Sequence, residues 1–234
     1  MQINLSHACN LRCIMCRLEP FRLPEELLEE CRQYYPYLSY VDFTGGEPLL
    51  SSREEILLII DKYPHIKMSV VTNGTLLDDF WINTIVKHFT LINISLNAAS
   101  RQTHERINIG SNWDSLINKI RKLAALKNDQ NLIGAAVSSG LNVILSMVIL
   151  KSNYLEMKDF LRLAFDLGCG VVFVPCEGDI EENVFYEWFK DENIRSEVSR
   201  IIGEIKEANK AYKVSLNGID AVLGCFKPRP KEET

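Results

Sequence analysis

Six times along its 234 residues this chain follows a short apolar, β-prone run with a segment of helical spacing. The predicted strands are residues 3–5, 40–44, 67–72, 91–96, 142–150 and 171–175. The predicted helices fall near residues 24–35, 51–62, 78–88, 113–127 and 155–167, with a charged helical stretch from about 182 to 212. Apolar strands alternating with helices point to a parallel sheet covered by helices. Six such units predict an α/β fold, a partial (βα)6 TIM-like barrel. In folds of that kind the reactive groups gather at the C-terminal ends of the strands. Local signals mark several boundaries. Pro24-Glu25-Glu26 suits a helix start, Ser51-Ser52-Arg53-Glu54 reads as a capping box, and Asn73-Gly74 ends the third strand. The small, partly apolar segment from Asp129 to Gly140, with Ile133-Gly134-Ala135-Ala136-Val137 inside it, fits no element of the pattern.

Composition narrows the function classes. Formal net charge is -5 and both signs are spread along the chain. A sequence-independent nucleic-acid binder needs a basic face, so that class is disfavoured. No stretch is long and apolar enough to span a bilayer, and no basic region leads into an apolar run with a cleavage site. Seven cysteines without such a signal read as reduced thiols or metal ligands of a cytoplasmic protein, not as a disulfide framework.

Three of those cysteines are clustered. Cys9-Asn10-Leu11-Arg12-Cys13-Ile14-Met15-Cys16 has C-x3-C-x2-C spacing directly after the first strand. A closed zinc site or a simple electron-transfer iron–sulfur cluster takes four protein ligands. Three ligands leave one corner of a metal centre open to a small molecule. The alternative is a zinc knuckle completed by His7 or Cys31. Thr44-Gly45-Gly46-Glu47-Pro48-Leu49 follows the second strand. Paired glycines let the backbone approach a partner closely, and Glu47 offers an acceptor; alone, the stretch reads as a plain βα turn. Thr72-Asn73-Gly74 closes the third strand and Ser95-Leu96-Asn97 the fourth.

CNLRCIMC followed, one helix later, by GGEP resembles the paired motifs of radical S-adenosylmethionine (radical SAM) enzymes. The resemblance covers roughly residues 1 to 212. It implies that Cys9, Cys13 and Cys16 hold a [4Fe-4S] cluster whose fourth iron binds the amino and carboxylate groups of S-adenosyl-L-methionine. Gly45, Gly46 and Glu47 would meet the methionyl ammonium through charge-assisted bonds. Asn73 would face the cofactor, Ser95 and Asn97 would contact the ribose, and Arg106 would reach the cofactor carboxylate. Met15 stands where the family usually has an aromatic residue near the adenine, and a thioether also packs on an aromatic ring.

The implied activity is that of an oxidoreductase. The cluster reductively cleaves the cofactor to a 5′-deoxyadenosyl radical, which abstracts hydrogen from an unidentified substrate. Peptide or protein modification and small-molecule oxidation are both open. An electron donor such as flavodoxin or ferredoxin is implied. The alternative is a catalytically silent metal- or cluster-binding scaffold acting through a partner protein. Cys225-Phe226-Lys227-Pro228 resembles the opening of a SPASM or twitch auxiliary-cluster region, and Lys231-Glu232-Glu233 follows it. Residues 1–212 are therefore expected to be the core domain and 213–234 a partial C-terminal extension in which Cys225 is no ligand by itself. Cys176 and Glu177 end the sixth strand, where a thiol or carboxylate would face the barrel mouth. Cys31 and Cys169 read as packing residues, His7 and His104 as surface groups, and His65 and His88 as loop or helix-end residues.

Overall fold

The computed structural model describes residues 1–127, 140–178, 180–183 and 192–225. Most of the unplaced segment Asp129 to Gly140 lies outside the described residues. So do Phe226-Lys227-Pro228, Lys231-Glu232-Glu233 and the early part of the charged stretch after Glu182. The chain divides into two compact units: Met1–Ser95 with Asn108–Ile144, and Leu96–Ile107 with Leu145–Thr234.

The first unit holds β1 (Gln2–Asn4), β2 (Arg12–Cys13), α1 (Glu25–Arg32), β3 (Tyr40–Thr44), α2 (Pro48–Ser51), α3 (Arg53–Lys62), β4 (Lys67–Thr72), α4 (Asp79–His88), β5 (Phe89–Ser95), β6 (Asn108–Ile109) and α6 (Trp113–Leu126). The label α5 belongs to Arg101–Ile107 of the second unit. β1, β3, β4 and β5 pair in parallel, in that order. Register explains why the strands form where they do. Ile3, Phe43, Val70 and Ile92 lie side by side on one face, and all four are buried. Each full burial of such a side chain stabilises by about 1.5–3 kcal/mol. The next row is Gln2, Asp42, Ser69 and Leu91, and it lies on the opposite face because side chains alternate along a strand. Asn4, Thr44, Asn93 and Ser95 follow the same alternation and are half-buried. This face is polar: the Ser69 hydroxyl donates to Asp42 Oδ1, and Asn4 Oδ1 and Asn93 Oδ1 are buried without a hydrogen-bond partner.

Helix ends follow local chemistry. Asp78 caps α4 by accepting the Trp81 N–H at 2.8 Å, and Asn112 caps α6 by accepting the Ser115 N–H at 2.9 Å. α1 is fastened to α3 by Arg32, whose guanidinium donates to the buried Glu55 carboxylate from Nε at 3.1 Å and from Nη2 at 2.6 Å. The capping box expected at Ser51 does not form. Ser51 ends the short helix α2, and its hydroxyl donates to the Glu47 carbonyl at 3.2 Å. Pro48 at the first helical position and the Glu47 carboxylate start the helix earlier than Ser51 can.

The second unit holds α5, the body of β7 (Asn142–Ile149), α7 (Met157–Asp166), β8 (Gly170–Pro175), α8 (Glu192–Tyr212), β9 (Leu216–Asn217) and α9 (Ile219–Gly224). Phe160 of α7 meets Phe173 of β8 at 6.0 Å between ring centroids. Val198, Ile201, Ile202 and Ile205 form the buried stripe of α8, and Tyr212 stacks on Phe165 at 4.6 Å. β9 pairs in parallel with β8, and Ile219 and Val222 of α9 are buried, so residues 216–224 form part of this unit. Parallel strand pairs alternating with helices within each unit place the chain in the expected α/β class. Among the described residues no helix is long and apolar enough to cross a membrane.

Candidate functional site

The cysteine loop is held at both ends by backbone bonds. At its base the Gly46 N–H donates to Ser6 O at 3.0 Å and the Glu47 N–H to Ala8 O at 2.8 Å, while the His7 N–H donates to Phe21 O at 3.0 Å. In the middle Arg12 and Cys13 pair antiparallel with Ile109 and Asn108. The Cys16 N–H closes a turn onto Cys13 O at 3.0 Å. Cys9 and Cys16 are exposed and Cys13 is half-buried.

The two glycines serve this loop directly. A Cβ on Gly46 would lie 2.3 Å from Ala8 O, and one on Gly45 would lie 2.3 Å from Asn4 Oδ1 and 2.7 Å from Ser6 O. Gly45 also has φ +126°, a region side chains other than glycine avoid. The backbone that comes close is therefore that of the cysteine loop.

Glu47 is fully buried. Its Oε1 accepts the Leu49 N–H at 3.0 Å and the Thr72 hydroxyl at 2.8 Å, and its Oε2 accepts the Asn73 N–H at 2.8 Å. Burial raises its pKa, and the three donors, Asn73 first, oppose that rise. The carboxylate thus ties the end of β3 to the end of β4. Asn73 reaches back to the loop: its Nδ2 donates to Asn10 Oδ1 at 3.0 Å and approaches Cys9 Sγ at 3.7 Å. The Leu11 N–H also donates to Cys9 Sγ, at 3.4 Å.

The donor set discriminates between metal centres. His7 Nδ1 lies 2.5 Å from the Glu19 carbonyl, which only accepts, so this nitrogen carries the proton. His7 Nε2 then accepts from Asn4 Nδ2 at 2.9 Å, which leaves His7 no lone pair for a zinc ion. Cys31 sits on α1 beside Tyr35. Among the described residues no three His, Cys, Asp or Glu side chains are gathered tightly enough to hold a single ion. A four-iron cluster asks for something else, because each thiolate binds its own iron and the sulfurs stand apart. Burial, then the neighbouring Cys9 and Cys16, push the Cys13 thiol up to about 12. A bound cation reverses that and deprotonates a coordinating thiol. Three spaced thiols, one of them receiving two N–H donors, fit a cluster with one open iron.

The structure brings Cys9, Gly45, Gly46, Glu47 and Asn73 into one neighbourhood of the first unit. Ser95 ends β5 in the same unit, one residue beyond the Thr72–Ile94 pair. Asn97 and Arg106 belong to the second unit. Asn97 is buried, has φ +61°, and accepts the Val148 N–H on Oδ1 at 3.0 Å. Arg106 is exposed and donates from Nη2 to Ser152 O at 3.1 Å. His104, expected at the surface, is fully buried. Its Nδ1 pairs with Leu96 O at 2.7 Å, and burial lowers its pKa. Its place on the inner side of the unexpected helix α5 explains the difference. Cys169 and Cys176 are buried.

Three residues of this neighbourhood had no role assigned from the sequence: Asn10, Thr72 and Thr75, whose hydroxyl accepts from Asn10 Nδ2 at 2.8 Å. Asn10 and Thr72 lie inside motifs already singled out, and Thr75 directly follows one. That position is the one clue that could have found them.

Residues 3–164 match the family described as the radical SAM superfamily. Two curated relatives are each named probable GTP 3′,8-cyclase. One, from Saccharolobus islandicus, is 29% identical over 178 residues, covering 72% of this chain and 53% of its own length. The other, from Saccharolobus solfataricus, is 30% identical over 179 residues with the same coverage. The chain thus spans about half the length of the curated relatives it matches. Among solved structures, Streptococcus suis SuiB bound to S-adenosylmethionine aligns with a TM-score of 0.64 over 93% of this chain and 49% of that chain, at 14% identity. Native anSMEcpe with bound AdoMet aligns with a TM-score of 0.63 over 92% of this chain and 63% of that chain, at 16% identity. These likenesses carry the fold, the TIM-like barrel that the strand and helix alternation leads one to expect.

Proposed function

The chain belongs to the radical SAM superfamily, an enzyme family that uses a [4Fe-4S] cluster and S-adenosylmethionine, and we propose that it cleaves this cofactor reductively to abstract hydrogen from a substrate. The observation that carries the reading is the junction of the two motifs: the Gly46 and Glu47 N–H groups bond the Ser6 and Ala8 carbonyls that lead into Cys9. Cys9, Cys13 and Cys16 would hold the cluster. When bound, the cluster and cofactor supply one-electron cleavage of a sulfonium and a carbon radical.

The protein's share is placement. Gly45 and Gly46 bring the end of β3 against the cluster loop, and their backbone would meet the amino-acid end of the cofactor. Glu47, fully buried and bonded to three donors, would hold that backbone from behind and lend its charge at short range. Ser95 would offer its hydroxyl to the ribose. The polar face of the first unit's sheet, with Asn4, Asp42, Asn93 and Ser95, would receive a substrate rich in hydrogen-bond donors, and Asn93 Oδ1 there is buried without a partner. The named relatives act on GTP by their names; the reading takes its reaction class from the family and leaves peptide and small-molecule substrates open. Residues 1–212 would form the core and residues 213–234 a C-terminal extension whose β9 and α9 pack within the second unit. An electron donor of the ferredoxin or flavodoxin kind would reduce the cluster.

Anaerobic reconstitution followed by reduction with dithionite tests the reading. Release of 5′-deoxyadenosine and methionine by the wild type, lost in Cys13→Ala, is expected. Full iron loading without cofactor cleavage would favour the silent scaffold instead.

A further inference from the structure

Three side chains above the cysteine loop form a closed ring of hydrogen bonds. Asn10 Nδ2 donates to Thr75 Oγ1 at 2.8 Å, the Thr75 hydroxyl donates to Asn73 Oδ1 at 2.6 Å, and Asn73 Nδ2 donates back to Asn10 Oδ1 at 3.0 Å. The ring joins residues more than sixty positions apart, as the 65-residue separation of Asn10 and Thr75 shows. It is anchored from two further sides. The Asn73 N–H is held by Glu47 Oε2, and Lys119 Nζ donates to the Thr75 carbonyl.

The ring settles which way the Asn73 amide points. The Thr75 backbone N–H, which can only donate, lies 2.9 Å from Asn73 Oδ1. The oxygen must therefore face Thr75, and the NH2 group must face Asn10 and Cys9. One of its protons goes to Asn10 Oδ1 and the other is left for Cys9 Sγ, 3.7 Å from the nitrogen. Among the described residues no side-chain N–H reaches the sulfur of Cys13 or Cys16. The three thiolates are thus unequal.

We propose that Asn73, locked by Asn10 and Thr75, is a positioning residue that donates a hydrogen bond to the Cys9 ligand sulfur and raises the reduction potential of the cluster. The proposal rests on the reading of Cys9, Cys13 and Cys16 as cluster ligands. An N–H aimed at a ligand sulfur withdraws charge from it. The reduced cluster carries one more negative charge than the oxidised one, so it gains more from the donor and becomes easier to form. A ring in which each hydroxyl or amide both gives and receives also polarises its members and stiffens the donor. Asn73, assigned from the sequence to face S-adenosylmethionine, thereby gains a role that does not need that cofactor to be present.

The test uses the full chain, reconstituted anaerobically, with no S-adenosylmethionine. Asn73→Ala should keep its iron content. Its reduced-to-oxidised ratio at a fixed applied potential should fall up to about tenfold, or ~59 mV for one electron, in a titration followed by electron paramagnetic resonance. A midpoint unchanged from wild type overturns the proposal. If Asn73→Ala does not load, the wild type alone decides. Protein labelled with 15N in its asparagine side chains should show a weakly coupled 15N nucleus in pulsed resonance of the reduced cluster, and the absence of any coupled label overturns the proposal. Failure of the wild type to bind iron would instead overturn the site reading on which this one stands.

Discussion

Glu47 shows how one side chain can serve a motif without standing at its surface. Its position in GGEP suggests a carboxylate facing an ammonium, yet its two oxygens are already bonded to Leu49, Thr72 and Asn73. Glutamine at this position has one acceptor oxygen and one NH2 group. Whichever way the amide turns, at least one of the three donors meets another donor. Glu47→Gln should therefore destabilise the protein before any cofactor is added, by about 1–3 kcal/mol, the cost of leaving a buried donor unpaired. Urea denaturation of the apo protein measures this. An unfolding midpoint equal to wild type would show that Glu47 acts on the ligand alone. At this scale the cysteines, the glycines and Glu47 were legible because their chemistry is local to a motif. Asn10, Thr72 and Thr75 were not, because each is defined by a partner far along the chain, 25 residues away for Thr72 and 65 for Asn10.

The elements repeat that division. β3 and β4 lie where their short apolar, β-prone runs place them, and α4 and α6 start at caps the local sequence supplies. α5 escaped notice for a physical reason. Its N-terminal donors are served by Glu156, whose carboxylate accepts the Ala99 N–H at 2.7 Å and the Ser100 and Thr103 hydroxyls at 2.8 and 2.5 Å. The local cap is long, Ser100 Oγ accepting the Thr103 N–H at 3.4 Å, and the support delivered from 53 residues away is not written in the helix's own sequence. The turn between β3 and α2 is the element whose fit to its neighbour matters most for the site. A methyl group on Gly46 would meet Ala8 O and the His7 carbonyl group, all backbone, at 2.3–2.5 Å. Backbone cannot rotate away as a flexible side chain can, so the cysteine loop must shift. Gly46→Ala should cost about 1–3 kcal/mol of apo stability and lower the iron bound per chain after reconstitution. Wild-type iron loading in this variant would show that the close approach is not needed to shape the loop.

For the molecule as a whole, the distribution of cysteines over the two units decides how many clusters the chain holds. Cys9, Cys13 and Cys16 share one loop of the first unit, where Cys13 registers the charge of both others. In the second unit Cys169 and Cys176 are buried at the two ends of β8, and Cys225 follows α9. Cys169 Sγ lies 3.5 Å from Leu167 O and Cys176 Sγ 3.8 Å from Glu177 O, each turned toward its own local backbone. A second cluster would need thiolates gathered on one centre, and the described residues of this unit do not gather them. The expected result is about four irons per chain in wild type and the same in Cys225→Ala, with none retained when Cys9, Cys13 and Cys16 are all replaced by alanine. Iron and sulfide analysis of the anaerobically reconstituted proteins measures it. Roughly eight irons in wild type that fall to four in Cys225→Ala would mean that Cys225 joins ligands beyond the described residues, and the one-cluster reading would fail.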